Sequence, residues 1–175
     1  MIQLHDLEFV PFISSEEIKN RVVELTKKIA EDYKGETPVF LGILNGSYQF
    51  LASLTSHYKA NCEVEFTKLS SYQGIHTTAC VRQLIGVENL KNKDIIIVED
   101  IVDTGNTLVS IVENLKALEV KSYRVATLFH KPEAYQQNIK LDYVGFEIPN
   151  KFIVGYGLDY DGLGRNLSEI YQLKH

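Results

Sequence analysis

The stretch "IIIVEDIVDTGNT", residues 95–107, sets four apolar residues before two adjacent acids, a third acid three positions on, and then Thr-Gly-Asn-Thr. A short β-branched run of this kind reads as a strand buried on both faces, as in a parallel sheet covered by helices. Behind it, Leu108, Ile111, Val112, Leu115 and Leu118 recur at helical spacing. A buried strand therefore runs into a glycine turn and then a helix. Three carboxylates in five residues repel one another, so their crowding at the strand end needs a cause.

The same strand, turn and helix order appears upstream. "PVFLGIL" (38–44) is a short apolar run, "NGS" follows it, and Phe50, Leu51 and Leu54 mark a helix. Ser14 and Glu17 form a capping-box signature ahead of Ile18, Val22, Val23, Leu25 and Ile29, which predicts an amphipathic helix. "CEVEFTKLSS" (62–71) and "SYRVATLFH" (122–130) read as further strands, and "SYQGIHTTACVRQ" as a long polar loop with room for a hairpin of its own. Strands alternating with helices predict an α/β fold, a mainly parallel central sheet flanked by helices, with ligands beyond the carboxyl ends of the strands. Residues 143–160 break the rhythm, since two strand-like runs meet at Pro149-Asn150 with no long helix behind them. They predict a small appended C-terminal β element.

The 175 residues suit one domain, and 45% hydrophobic with 23% charged residues is ordinary for a folded soluble chain. A net charge of -5 gives no footprint for nonspecific nucleic-acid binding. No apolar run approaches the length of a membrane span and no leader-like segment is visible, so a cytosolic (cytoplasmic) location is expected. Cys62 and Cys80 stand apart and the five histidines are scattered, which predicts free buried thiols and no structural zinc.

Four apolar residues before an acid also occur in ATPases, but this chain has no Gly-Lys dipeptide and hence no triphosphate loop. The dinucleotide fingerprint and the G-x-S-x-G elbow are absent too. "LDYDGLG" (158–164) is too close to the carboxyl end to start a phosphatase domain. On its own terms, a strand end leading into a helix leaves the backbone N–H groups of Thr104, Gly105, Asn106 and Thr107 free to cradle a phosphate. Glu99 and Asp100 could hold the vicinal diol of a ribose, directly or through a bound Mg2+. Asp103 would lie between sugar and phosphate, where it could manage a proton or a developing positive charge. The plainer alternative is an ordinary helix N-terminus, with Asp103 as its cap and the other two acids solvated.

"VEDIVDTGNT" closely resembles the phosphoribosyl pyrophosphate (PRPP) signature of type I phosphoribosyltransferases. "LGILNGSYQF" resembles that family's pyrophosphate loop, "LSSYQG" the start of its mobile loop, and "DYVGFEIPNKFIVGYGLDYDGLGRNL" the purine-binding hood of its hypoxanthine-guanine branch. The likeness runs over nearly the whole chain in one order. It implies one domain, with a core over about 15–135 and a C-terminal β hood over the active site, made of about 136–175 plus the N-terminal segment.

The resemblance also implies a reaction, displacement of pyrophosphate from PRPP by a purine nitrogen through an oxocarbenium-like state. It implies Mg2+ as cofactor. Glu99 and Asp100 would hold ribose hydroxyls and metal, Thr104, Gly105, Asn106 and Thr107 the 5'-phosphate, and Asp103 the proton at purine N7. Leu44, Asn45, Gly46 and Ser47 would bind pyrophosphate, with a cis peptide at Leu44-Asn45. Many relatives carry a basic residue where this chain has Asn45, which makes Arg165 the cationic contact. Ser71 and Tyr72 match the mobile-loop pair. Lys131 would donate to the purine 6-oxygen, Phe152 would stack on the ring, Ile153 would read its edge, and Asp159 would touch metal and base.

Without the resemblance, Lys131 and Asp159 read as solvated charges, Phe152 as a core aromatic and Asn45-Gly46 as a plain turn. The implied function is a purine salvage enzyme acting on small molecules, with neither nucleic acid nor membrane as partner, as a homodimer or homotetramer. A PRPP-sensing regulator that binds RNA or DNA is one alternative. An enzyme of the same class for xanthine or a pyrimidine is another.

Overall fold

The computed structural model describes residues 1–72, 80–85, 87 and 89–174, with backbone alone over 70–72 and 80–85. In chain order the elements are β1 (Ile2–Leu4), β2 (Leu7–Ile13), α1 (Ser15–Asp32), β3 (Val39–Leu44), α2 (Tyr48–His57), β4 (Glu63–Tyr72), β5 (Cys80–Ile85), β6 (Asp94–Val102), α3 (Asn106–Ala117), β7 (Ser122–His130), β8 (Tyr143–Glu147), β9 (Ile153–Val154) and β10 (Ile170–Leu173).

The large sheet has the order β5-β4-β3-β6-β7-β8. All neighbours are parallel except β4 and β5, which pair antiparallel, so the hairpin uses β4 itself and is not contained in the loop beyond residue 71. β6 lies near the middle, and Ile95, Ile96, Ile97 and Val98 are fully buried. Each such side chain contributes roughly 1.5–3 kcal/mol through burial. The strand period of two divides them between two cores. Ile96 and Val98 pack with Phe40 and the apolar faces of α1 and α2, whereas Ile95 and Ile97 pack with Val39, Leu41, Ile43 and α3.

α1 begins at the Ser14–Glu17 capping box and buries Ile18, Val22, Leu25, Thr26 and Ile29. Val23 is only half-buried, and Thr26 is buried, with its hydroxyl donated back to the Val22 carbonyl. Cys62 is a free thiol at intermediate exposure rather than a buried one, because it stands just ahead of β4 at the end of the sheet.

A further expectation is corrected. The first of the two late runs, Tyr143–Glu147, belongs to the large sheet as its sixth strand, parallel to β7 with Ala126 opposite Tyr143. Its crossover from β7 uses turns instead of a helix, so the rhythm that marks an α/β unit is hidden in the sequence. Only the second run enters the small antiparallel sheet, of order β1-β2-β10-β9. Among the described residues, no helix is long and apolar enough to cross a membrane.

Candidate active site

β3 pairs with β6 only as far as Gly42 opposite Val98, while β7 stays paired to β6 up to Val102 opposite His130. From Glu99 onward, therefore, β6 has an open edge toward β3. Glu99 and Asp100 stand at the start of that edge, and both are buried rather than solvated. Burial pushes Glu99 well above the ordinary carboxyl range, and the neighbouring Asp100 charge adds to this. Asp100 is raised by burial as well, against hydrogen bonds from Glu99 and the Ile101 N–H (2.9 Å) and the nearby charge of Arg165. Of the two, Glu99 is pushed up the more strongly. Its Oε2 has no hydrogen-bond partner among the described residues.

The loop after β6 is built around Gly105, whose φ of 83° is left-handed. Gly105 is the N-cap of α3 and no side chain caps that helix, so the reading of Asp103 as cap is overturned. The first helical bond runs from Val109 N–H to the Gly105 carbonyl (3.2 Å). The N–H groups of Asn106, Thr107 and Leu108 are thereby left unused by the helix. Asp103 to Leu108, with Glu99, line a cavity of about 90 Å³.

A second cavity of about 260 Å³ adjoins the other side of the acids, lined by Leu44, Asn45, Gly46, Glu99, Asp100, Thr107 and Arg165. Glu99 and Thr107 face both cavities. The Leu44-Asn45 peptide is cis, as the resemblance implies. Gly46 is wedged between two neighbours. A Cβ there would stand 1.6 Å from Asp100 Oδ2, and the Gly46 carbonyl lies where a Cβ on Gly157 would be, at 1.9 Å. Ser47 does not line this cavity; it is fully buried behind it, at the start of α2.

Arg165 reaches the second cavity while held by its own segment. Its Nη2 pairs with Asp159 Oδ1 (2.7 Å) and its Nη1 donates to the Gly157 carbonyl (2.8 Å). The Asp159 carboxylate also accepts from Gly162 N–H (2.8 Å). It is therefore committed to Arg165 and its own turn, and no group of three or more acid, histidine or cysteine residues able to hold a metal occurs among the described residues. Glu99 and Asp100 stand together, and Asp159, which the resemblance gives to metal and base, stands apart from them beside Arg165.

On the opposite flank, Lys131 Nζ donates to Asp103 Oδ2 at 2.8 Å. Lys131 is buried at the end of β7 and Asp103 is half-exposed, so the lysine is no solvated strand-end charge. Phe152 precedes β9 and is 44% exposed, so it is not a core aromatic. Phe9 (6.1 Å between ring centres) and Tyr160 (5.9 Å) hold it from behind. Ile153 is buried in β9, opposite Gln172. The backbone of Ser71 and Tyr72 lies in β4, while their side chains and residues 73–79 of the expected mobile loop lie outside the described residues.

Several supporting residues escape a reading of the chain. Tyr48 donates its hydroxyl to the Arg165 carbonyl (3.0 Å), and Gln49 donates to the same oxygen. Phe9 and Tyr160 brace Phe152, and Gln137 donates to Asn106 Oδ1 (3.0 Å). The partners of Tyr48 and Gln49 are more than a hundred residues away, so no local pattern announces them. A wider, mostly apolar groove of about 600 Å³ lies between α1 and the end of α2, lined by Val23, Lys27, Ala30 and His57, and none of the acids reaches it.

Residues 14–161 match the family described as "Phosphoribosyl transferase domain". The chain belongs to the phosphoribosyltransferase family. It is 42% identical over 163 residues to the hypoxanthine-guanine phosphoribosyltransferase of Streptococcus mutans, covering 92% of this chain and 91% of that one. The hypoxanthine phosphoribosyltransferase of Escherichia coli is also 42% identical, over 162 residues, with 90% and 91% covered. Among solved structures, the hypoxanthine phosphoribosyltransferase of Staphylococcus aureus superposes with a TM-score of 0.89 at 39% identity, over 97% of this chain and 92% of that one. The fold and order of elements are those of this family.

Proposed function

We propose that this phosphoribosyltransferase acts in purine salvage, moving the 5-phosphoribosyl group of PRPP onto hypoxanthine, and onto guanine as well, with release of pyrophosphate. The observation that carries the choice of base is the Lys131–Asp103 pair, a buried cation donating to an acid at 2.8 Å. A 6-oxopurine bearing its proton at N7 presents an acceptor, O6, beside a donor, N7–H. Lys131 can donate to the first while Asp103 accepts from the second. Adenine presents an amino donor at position 6, which a lysine cannot serve.

Attack of purine N9 on the anomeric carbon forms the new C–N bond as the bond to pyrophosphate breaks, and the N7 proton passes to Asp103. Positive charge develops on the sugar near the carboxylates of Asp100 and Asp103, which favours the transition state over the ground state. The uncapped start of α3 over Thr104, Gly105, Asn106 and Thr107 takes the 5'-phosphate. Leu44, Asn45 and Gly46 with Arg165 take pyrophosphate, with Ser47 shaping that loop from behind. Phe152 stacks on the base, with the small sheet and the segment after Glu147 as a hood over it.

The donor set at Glu99 and Asp100 fits a hard cation. Two adjacent buried carboxyls, one with an unpartnered oxygen, suit Mg2+, which takes one or two carboxylates and completes its shell with water and substrate oxygens. When bound, Mg2+ would neutralise the pair and the phosphates of PRPP. Neutralisation of these acids also relieves the repulsion that their crowding creates.

Pure protein mixed with PRPP, Mg2+ and each of hypoxanthine, guanine, xanthine, adenine and uracil tests the reading. Turnover with hypoxanthine and guanine is expected. Turnover confined to xanthine, adenine or uracil would overturn it, and so would retention of nucleic acid at physiological salt without turnover. A homodimer or homotetramer is expected by light scattering.

A further inference from the structure

The segment that follows Lys131 passes behind the loop after β6 and touches it at three points. Gln136 N–H donates to the Thr104 carbonyl (3.3 Å). The Tyr135 ring and the Gln137 side chain fill the space behind Gly105, where a Cβ would meet Tyr135 Cε2 at 2.5 Å and Gln137 Cγ at 2.8 Å. Gln137 Nε2 donates to Asn106 Oδ1 at 3.0 Å. Tyr135 is itself fixed, with its hydroxyl donated to the Ile139 carbonyl (2.5 Å) and its ring edge-on to His130 (5.4 Å). The half-buried Gln137 is thus held against the loop by a braced turn.

The third contact has a chemical consequence. An asparagine side chain has an acceptor end and a donor end, and a phosphate oxygen accepts only. With Asn106 Oδ1 occupied by the Gln137 amide, the free polar end of Asn106 is its NH2 group. Asn106 lines the cavity at the start of α3. Turned the other way, the same side chain would set an acceptor against an anion. Resting on the assignment of this loop to the 5'-phosphate, we infer that Gln137 is a positioning residue, one that sets the polarity of the Asn106 amide so that a donor faces the phosphate of PRPP.

The test is a double-mutant cycle on the full chain with PRPP, hypoxanthine and Mg2+. Q137L is expected to raise KM for PRPP about tenfold, the scale of one hydrogen bond to a charged group, with kcat and KM for hypoxanthine changed less than about threefold. Q137E, whose carboxylate draws the Asn106 NH2 toward itself, is expected to raise KM for PRPP further. Q137K, which still donates to Oδ1, is expected to stay close to the parent. In an N106A background, Q137L is expected to add nothing.

An unchanged KM for PRPP in Q137L, or an equal rise with and without Asn106, would reduce Gln137 to packing and overturn the inference. The same cycle read by calorimetric binding of ribose 5-phosphate needs no turnover. Loss of ribose 5-phosphate affinity in Q137L alone would support the positioning role even if the base assignment failed, and equal affinity across the cycle would overturn it.

Discussion

Substitution of Gly46 by alanine tests how the two halves of the site are joined. The backbone at Gly46 is not left-handed, so the cost of a methyl group there is steric. An ideal Cβ would sit 1.6 Å from Asp100 Oδ2, about 1.8 Å inside the 3.4 Å of an ordinary contact. The Asp100 carboxylate is buried and cannot swing into solvent. A shift of that size breaks its 2.9 Å bond from Ile101 N–H. Loss of a hydrogen bond to a buried charge costs roughly 1.5–3 kcal/mol, and overpacking adds about 1–3 kcal/mol.

A net loss of roughly 3 kcal/mol lowers Tm by about 6–12 °C in a chain of this size. If Asp100 holds the ribose as proposed, its displacement by more than about 1 Å costs on the order of a hundredfold in rate. G46A is therefore expected to unfold at a lower temperature in a thermal melt and to lose at least about a hundredfold in kcat/KM for PRPP. A variant with Tm within about 2 °C of the parent and kcat/KM within about threefold would refute the close packing of Gly46 on Asp100.

Other outcomes follow from the same geometry. Asp103→Asn should lower kcat more than it raises KM for PRPP, because the proposed role of the acid is to take the N7 proton; steady-state kinetics showing a pure KM effect would make it a binding residue. Lys131→Met removes the donor proposed for O6 and leaves Asp103 without its lysine, so KM for hypoxanthine should rise by at least about tenfold while KM for PRPP changes little. Glu99 has its folded value raised above its ordinary 4.5 by burial, so it adds stability that is fully present below 4.5 and is lost as pH rises through the raised value. Metal-free protein should accordingly show a Tm that falls as pH rises above about 4.5. Glu99→Gln should flatten that fall and be the more stable form once Glu99 is ionised, and parallel curves for the two proteins would show that Glu99 does not titrate on folding.

Much of the site was legible along the chain, for a physical reason. A glycine loop at a strand end is local: Glu99 to Thr107 need only one strand, one left-handed glycine and one helix start to converge. The cis peptide at Leu44-Asn45 and the exposed Phe152 agree with the readings from resemblance. Other readings changed: Tyr143–Glu147 is a core strand because a parallel crossover can be made of turns, Asp103 does not cap α3, and Cys62 is only half-buried.

The sequence by itself determined the alternation of buried strands with amphipathic helices, the crowding of Glu99, Asp100 and Asp103, and the glycine that turns the loop. These depend on period and spacing within a few residues. Only the tertiary structure decided that Asp103 is paired with Lys131 instead of capping a helix, that Gly46 is the one residue small enough to lie against Asp100, and that Gln137 reaches Asn106. Each is a contact between segments distant in the chain, and a side chain's partner across such a distance is set by how the sheet is ordered and where its strands stop pairing.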